Sequence, residues 1–335
     1  MRHVLLIGAG TMGSTHAAAY GAMPDVRVAG IVDIRRDQAE AVAGPLGARV
    51  FASYEEAAAA LERIDVVDVC VPTFLHETYC LKAAADKKDI ICEKPLAGSR
   101  ESALAIMEAC RQHGVRLYVG HVLRFFPEYE RAKALVEAGA IGEAGVVRTS
   151  RVGPFPNAWN DWYADLSKSG GTLLDLIIHD FDFLRWCFGE VERVYAKGLR
   201  GRELSRMDYS LVTLRFRSGV IAHVEGSWAH EAFTMRFEIA GRSGIIDYDS
   251  GKDKPLVVHT RGGRQGAQGV SVPESPLHRN PYYRELRHFI DCMETGREPL
   301  VTAEDALAAV DIALMAAESL RTGQPVYNNR TEVRR

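Results

Sequence analysis

The segment Gly8-Ala9-Gly10-Thr11-Met12-Gly13 limits what this chain can fold into more than any other, because it joins an apolar strand, His3–Ile7, to a helical pattern. In that context each glycine has its own physical reason. The first permits a tight turn, the second lets main chain approach a pyrophosphate, and the third allows helix and strand to pack closely. The helix N-terminus then presents N–H groups and a partial positive charge to phosphate. Asp33 ends the second strand 20 residues after Gly13, where a carboxylate can accept hydrogen bonds from the ribose hydroxyls of a dinucleotide. With Ile34 and Arg35 beside it, Asp33 favours NAD. Arg35 and Arg36 are each able to pair with a 2′-phosphate, so NADP is not excluded.

The residues after this turn continue in the same grammar. Val26–Asp33, Val66–Val71, Asp89–Cys92 and Val115–Gly120 read as strands, with helical stretches Ser53–Leu61, His76–Lys87 and Ser99–His113 between them. Such alternation builds βαβ units, and strands apolar throughout suit a sheet covered on both faces. Beyond residue 125 the pattern changes. After a helix over Pro127–Ala138 come mostly short, alternating strands at Ala144–Val152, Val191–Gly198, Tyr209–Phe216, Val220–Trp228, Thr234–Ala240 and Ile245–Tyr248. Tight-turn signals between several of them indicate an antiparallel sheet. A long helix is expected over Thr172–Phe188, an exposed loop over 261–276, and two closing helices over Tyr282–Thr295 and Ala303–Thr322. The predicted fold class is therefore α/β, a doubly wound Rossmann-type parallel sheet, followed by an α+β domain with a large, mostly antiparallel sheet. The expected domains are 1–122 for the dinucleotide and 123–335 for substrate and oligomerisation, with the last helix packing back on the first.

Composition removes several function classes. Lys plus Arg is 41 against 44 acidic residues, a net charge of −3, so there is no sequence-wide basic field for nucleic acid. No apolar run approaches the ~18 residues that span a bilayer, and no signal peptide is recognisable. Cys70, Cys80, Cys92, Cys110, Cys187 and Cys292 are scattered, with no Cys-x-x-Cys pair. Reduced thiols in a cytoplasmic protein are expected, without a structural zinc site or any other metal.

Two further segments follow later strands, at the edge where open α/β sheets bind ligands. They are Val71-Pro72-Thr73-Phe74-Leu75-His76 and Glu93-Lys94-Pro95. In the expected helix over Thr172–Phe188, Asp175 and His179 are four apart and so predicted to share a face, next to Gly170-Gly171. A buried carboxylate needs a partner, and an Asp–His pair beside a dinucleotide site is what acid–base work requires.

Together, Gly8–Gly13, Cys92-Glu93-Lys94-Pro95-Leu96, Leu123-Arg124-Phe125-Phe126-Pro127, Gly170-Gly171-Thr172-Leu173-Leu174-Asp175, His179-Asp180-Phe181-Asp182 and Val301-Thr302-Ala303-Glu304-Asp305 resemble the Gfo/Idh/MocA oxidoreductases along nearly the whole chain. Many relatives carry a glycine two residues before the helix histidine, where this chain has Ile177. The resemblance implies a sugar or inositol dehydrogenase. Lys94, Asp175 and His179 would be catalytic, with either His179 or Lys94 accepting the hydroxyl proton. Val71, Pro72, Thr73, His76, Glu93 and Lys94 would join the glycine turn and Asp33 at the cofactor. Arg124, Trp162, Tyr163, Thr172 and Tyr283 would meet substrate beside the catalytic three. It also implies a homodimer or homotetramer formed through the second sheet. Two other readings fit such a chain: NAD held as a catalytic shuttle, or a non-catalytic dinucleotide-binding regulator.

Overall fold

Strands with no polar face must be covered on both sides, and the first sheet shows how. The computed structural model describes residues 1–199, 206–252 and 280–328, and the loop expected at 261–276 lies outside them. The strands β1 (Arg2–Ile7), β2 (Val26–Val32), β3 (Arg49–Phe51), β4 (Val66–Val69), β5 (Asp89–Glu93) and β6 (Leu117–Gly120) form one all-parallel sheet in the order β3-β2-β1-β4-β5-β6. Val4 and Leu6 of β1 enter one core cluster and Leu5 and Ile7 the other, as the two-residue strand period requires. β3 was not expected from the sequence, because three residues are too few to carry a period.

The helices α1 (Thr11–Gly21), α2 (Arg36–Ala43), α3 (Tyr54–Ala60), α4 (His76–Ala85) and α5 (Arg100–His113) connect the strands. Capping sets several of their ends. Ser53 accepts from Glu56 N–H and Ser99 from Ser102 N–H, while Gly114 closes α5 in the left-handed region at φ 67°. The chain divides into two compact units, residues 1–125 with 279–307 and residues 126–278 with 308–335. In the first, a later helix, α9 (Pro281–Thr295), places Leu286, Phe289, Ile290 and Met293 in the cluster that holds Val4 and Leu6.

The second unit is built on a seven-stranded sheet. Its strands β7 (Ala144–Val152), β8 (Val191–Gly198), β9 (Tyr209–Phe216), β10 (Ile221–Ser227), β11 (Thr234–Gly241), β12 (Gly244–Asp249) and β13 (Val326–Tyr327) run in the order β12-β11-β7-β10-β9-β8-β13. The β7–β10 pair is parallel and the other pairs are antiparallel. Alternation is plain in β9, where Ser210, Val212, Leu214 and Phe216 are buried in turn. Helix α6 (Pro127–Glu137) brings Tyr129 against Phe183 and Phe237, with ring centroids 4.8 and 5.0 Å apart. A single turn, α7 (Leu166–Ser169), and the helix α8 (Ile178–Phe188) complete the described part of this unit with the rest of α10 (Ala303–Thr322).

Candidate active site

The strand order reverses between β1 and β4, and the crevice at such a switch point is where open α/β sheets bind ligands. The three glycines divide the work as their spacing predicts. Gly8, at φ +97°, leads the chain so close to β4 that a Cβ would stand 2.5 Å from the Cys70 carbonyl oxygen. A Cβ on Gly13 would stand 1.9 Å from the Gly8 carbonyl oxygen. Gly10 differs: a Cβ there meets nothing within 4 Å, and as the N-cap of α1 it has no side chain to accept from the first-turn N–H groups. The helix start thus has no side-chain cap and room for a close approach at Gly10, which fits a phosphate.

Asp33 is tied into the same turn. Its Oδ2 accepts from Ala9 N–H at 2.8 Å and its Oδ1 from Arg35 N–H at 2.8 Å. The Arg35 guanidinium closes on both oxygens at 3.1 and 3.2 Å. Gln38, which carries no sequence signal, donates to the Ala9 carbonyl at 2.9 Å, so that Ala9 is held through both its N–H and its carbonyl. Ile34 beside Asp33 leaves its apolar side chain largely in solvent.

The loops after β4 and β5 stand at this same edge of the sheet. His76 joins them: Nδ1 lies 2.8 Å from the Pro95 carbonyl and Nε2 2.9 Å from the Val71 carbonyl, and burial lowers its pKa. The ring, expected to contact cofactor, sits between the two loops with a main-chain carbonyl beside each nitrogen, and so shapes the crevice. The Lys94–Pro95 peptide is cis. Glu93 is buried, with Oε2 accepting from Lys94 N–H at 3.1 Å, while Lys94 itself is half-buried.

Behind Glu93 lies a polar cluster that no sequence pattern announced. His16 Nδ1 is 2.8 Å from Asp68 Oδ2, which also accepts from Tyr20 Oη at 2.7 Å. Cys70 Sγ lies 3.3 Å from His16 Nδ1 and 3.4 Å from Asp68 Oδ1. The ligand atoms of His16, Asp68 and Cys70 lie within 4.8 Å of one another, but they are committed to each other and buried. Burial also pushes the Cys70 thiol up, away from the thiolate a metal would need. On the other side, His16 Nε2 is 3.0 Å from Glu93 Oε1, an ion-pair contact out of line for a hydrogen bond.

Arg124 and Tyr283, expected at substrate, also fall in the first unit. Arg124 is 3% exposed and donates to the Leu300 carbonyl at 2.7 Å and to Asp305 Oδ2 at 3.1 Å. These contacts make it a tie between segments far apart in sequence. Tyr283 is half-buried against the core cluster of β1 and α9.

In the second unit the expected helix over Thr172–Phe188 is not continuous. Thr172–Leu176 forms a π-helical turn, with Ile177 N–H donating to the Thr172 carbonyl five residues back at 2.9 Å, and α8 starts only at Ile178. Asp175 thus lies in the π-turn and His179 in the first turn of α8. Gly170 and Gly171 precede the turn at φ +68° and +65°. A Cβ on Gly170 would meet Leu174 Cβ at 2.5 Å. Asp175 is buried and His179 half-buried.

The π-turn has its own anchors. Asp208 Oδ2 accepts from Thr172 N–H at 2.7 Å and from Thr172 Oγ1 at 3.0 Å, and Ser210 Oγ lies 2.9 Å from that hydroxyl. Thr172, expected at substrate, is fully buried with its hydroxyl engaged, so it secures the turn. Ile177 fits because β10 carries Gly226 opposite it, where a Cβ would stand 2.6 Å from Ile177 Cγ2. Just after His179, Asp180 pairs with Arg151 of β7 at 2.6 Å, and Arg151 Nη2 reaches Tyr129 Oη at 3.4 Å. Trp162 is half-buried and stacks on the buried Tyr163 at 3.9 Å, and Tyr163 turns its edge to Trp228.

The six cysteines are free thiols, and among the described residues no helix is long and apolar enough to cross a membrane. Residues 2–121 match the family described as "Oxidoreductase family, NAD-binding Rossmann fold", and residues 133–327 match "Oxidoreductase family, C-terminal alpha/beta domain". The chain is 30% identical to the myo-inositol 2-dehydrogenase of Thermotoga maritima over 330 residues, 96% of this chain and 97% of that protein. It is also 30% identical to the inositol 2-dehydrogenase of Rhizobium meliloti, over 94% of this chain and 96% of that one. Among solved structures, GenD2 from gentamicin A biosynthesis, in complex with NAD, superposes with a TM-score of 0.88 at 27% identity, covering 98% of this chain and 97% of that one.

Proposed function

This chain belongs to the GFO/IDH/MocA oxidoreductase family, and from that membership we propose that it is an NAD-dependent dehydrogenase. Its reaction would oxidise a secondary hydroxyl of an inositol, sugar or related polyol to a ketone, or run in reverse. The observation that carries the reading is the shared edge of the parallel sheet. The uncapped start of α1, Asp33, the Val71–Thr73 segment and Lys94 all follow the carboxyl ends of its strands. Relatives named for inositol oxidation supply the substrate class.

In this reading the first-turn amides of α1 hold the pyrophosphate, Asp33 accepts from the adenosine ribose, and Ile34 gives the adenine an apolar face. Val71, Pro72, Thr73 and Glu93 shape the nicotinamide end. When bound, the nicotinamide supplies the hydride acceptor. Lys94 donates a hydrogen bond to the reacting oxygen and offsets charge developing there. His179 takes the hydroxyl proton, and Asp175 orients the imidazole and stabilises its charged form. Trp162 and Tyr283, both half-buried, offer ring faces to the polyol. The negative Asp33 argues for NAD over NADP. Assembly of copies is assigned to the open face of the seven-stranded sheet, and a solution mass of one chain would remove that assignment.

The test is a panel of inositols, aldoses and sugar acids with NAD and NADP separately, read as reduced cofactor. At least one polyol should give turnover. Lys94→Ala and His179→Ala should each lower it by about 10²–10⁴-fold while dinucleotide binding persists. Full turnover in both variants would overturn the roles.

A further inference from the structure

We propose that His16 is a positioning residue for the Lys94 loop: gripped by Asp68 on one side, it fixes the Glu93 carboxylate on the other, and Glu93 fixes the main chain of Lys94. This rests on the dehydrogenase reading above for its catalytic consequence, though not for its geometry.

The contacts form one continuous line. Tyr20 Oη donates to Asp68 Oδ2, His16 Nδ1 meets the same oxygen, His16 Nε2 faces Glu93 Oε1, and Glu93 Oε2 accepts the Lys94 N–H. His16 and Asp68 are fully buried, and Glu93 is 6% exposed. Gly120 makes room for the last carboxylate, since a Cβ there would stand 3.3 Å from Glu93 Oε1. The line starts inside α1, the helix of the glycine turn, crosses β4 and ends at the residue after β5. It links the phosphate-binding helix to the loop that carries the lysine.

Sealing two carboxylates and an imidazole in a core is costly, and an apolar set of similar volume would serve stability at least as well. What apolar residues could not do is hold the Lys94 amide in one place. Asp68 and Glu93 present a carboxylate to the two ring nitrogens, Nδ1 at hydrogen-bonding distance of 2.8 Å and Nε2 in a 3.0 Å ion-pair contact. The imidazolium fits both. Burial alone would lower the His16 pKa, but the Asp68 carboxylate beside it offsets that, and the pKa is raised well above its usual value. The charged or titratable groups that bear on this line are Tyr20 on α1, Asp68 and Cys70 at the end of β4, and Glu93 on β5. Glu285 on α9 acts on Tyr20.

The test uses the full chain. Ring ¹⁵N shifts of labelled histidine should show His16 as imidazolium at pH 7, above the ordinary histidine pKa of about 6.5. The Lys94 amide resonance should move in His16→Gln and, in the wild type, follow His16 as it titrates. Turnover on the best polyol of the panel should fall about tenfold or more in His16→Gln, with NAD affinity within about threefold. Glu93→Gln should show the same loss, and the double variant should be no worse than either single one. A neutral His16 at pH 7, a Lys94 amide indifferent to His16→Gln, or additive losses in the double variant would each overturn the proposal. If no polyol turns over in the wild type, the functional reading fails, and the resonances still decide the clamp. If His16→Gln does not fold, the wild-type titration and Glu93→Gln decide it.

Discussion

Asp33 Oδ2 accepts the amide N–H of Ala9 at 2.8 Å while the Arg35 guanidinium closes on the same carboxylate. One side chain thus braces the glycine turn and restrains a cation that would otherwise face the crevice. Asp33→Ala removes the brace and releases Arg35. Charge-assisted hydrogen bonds contribute about 1.5–3 kcal/mol, so NAD affinity should fall by roughly 10- to 100-fold. NADP should lose less, and the preference between the two should narrow by about tenfold or more. Titrations of both dinucleotides measure this, and an unchanged ratio removes Asp33 from the ribose.

Gly10 and Gly13 should separate binding from folding. Gly10→Ala enters open space, so the melting temperature should hold while dinucleotide affinity drops about tenfold or more through the lost approach to phosphate. Gly13→Ala drives a methyl against the Gly8 carbonyl and should cost about 1–3 kcal/mol or more of stability as well. Thermal melts beside binding titrations test the split. Equal effects at both positions would contradict it.

His16 and His76 should give the stability–pH curve two limbs of opposite origin. His16 has a raised folded pKa, so its contribution is complete below the unfolded value of about 6.5 and is lost as pH rises through the folded one. His76 is lowered by burial, so its contribution is complete above about 6.5 and is lost as pH falls through its folded value. Urea midpoints from about pH 5 to 9 should decline at both ends. His16→Gln should flatten the alkaline limb and His76→Gln the acid one; limbs that survive both substitutions belong to other groups.

Gly226 and Ile177 should behave as a coupled pair. Gly226→Ala should destabilise by about 1–3 kcal/mol, because its methyl falls 2.6 Å from Ile177 Cγ2. In an Ile177→Ala background most of that penalty should vanish. A double-mutant cycle in urea gives the coupling, and a value near zero means that the π-turn does not depend on this fit.

The parallel sheet, the turn of the first dinucleotide loop and most strands of the second sheet could be read directly, because periodicity and glycine spacing are local properties. Asp33 was readable for the same reason, standing at a fixed distance from Gly13. The His16–Asp68–Glu93 line was not, since its members sit on three elements and only strand order makes them neighbours. Gln38 and Asp208 escaped likewise: each is an ordinary polar residue until the fold brings Ala9 or Thr172 to it. The π-turn eluded the helix pattern because the groups that meet it, Asp208, Ser210 and Gly226, lie far from it in sequence. Arg124, Thr172 and His76 carry structural contacts that their sequence positions did not show, each to main chain or a buried neighbour.

The placing of α9 has a consequence for synthesis order. Leu286, Phe289, Ile290 and Met293 complete the same cluster as Val4 and Leu6, yet some 280 positions separate them along the chain. A ribosome making this protein delivers every strand of the dinucleotide sheet long before the helix that seals one of its faces. Through most of translation that face has only α1 and α2 over it, and the first unit to begin emerging is among the last to close.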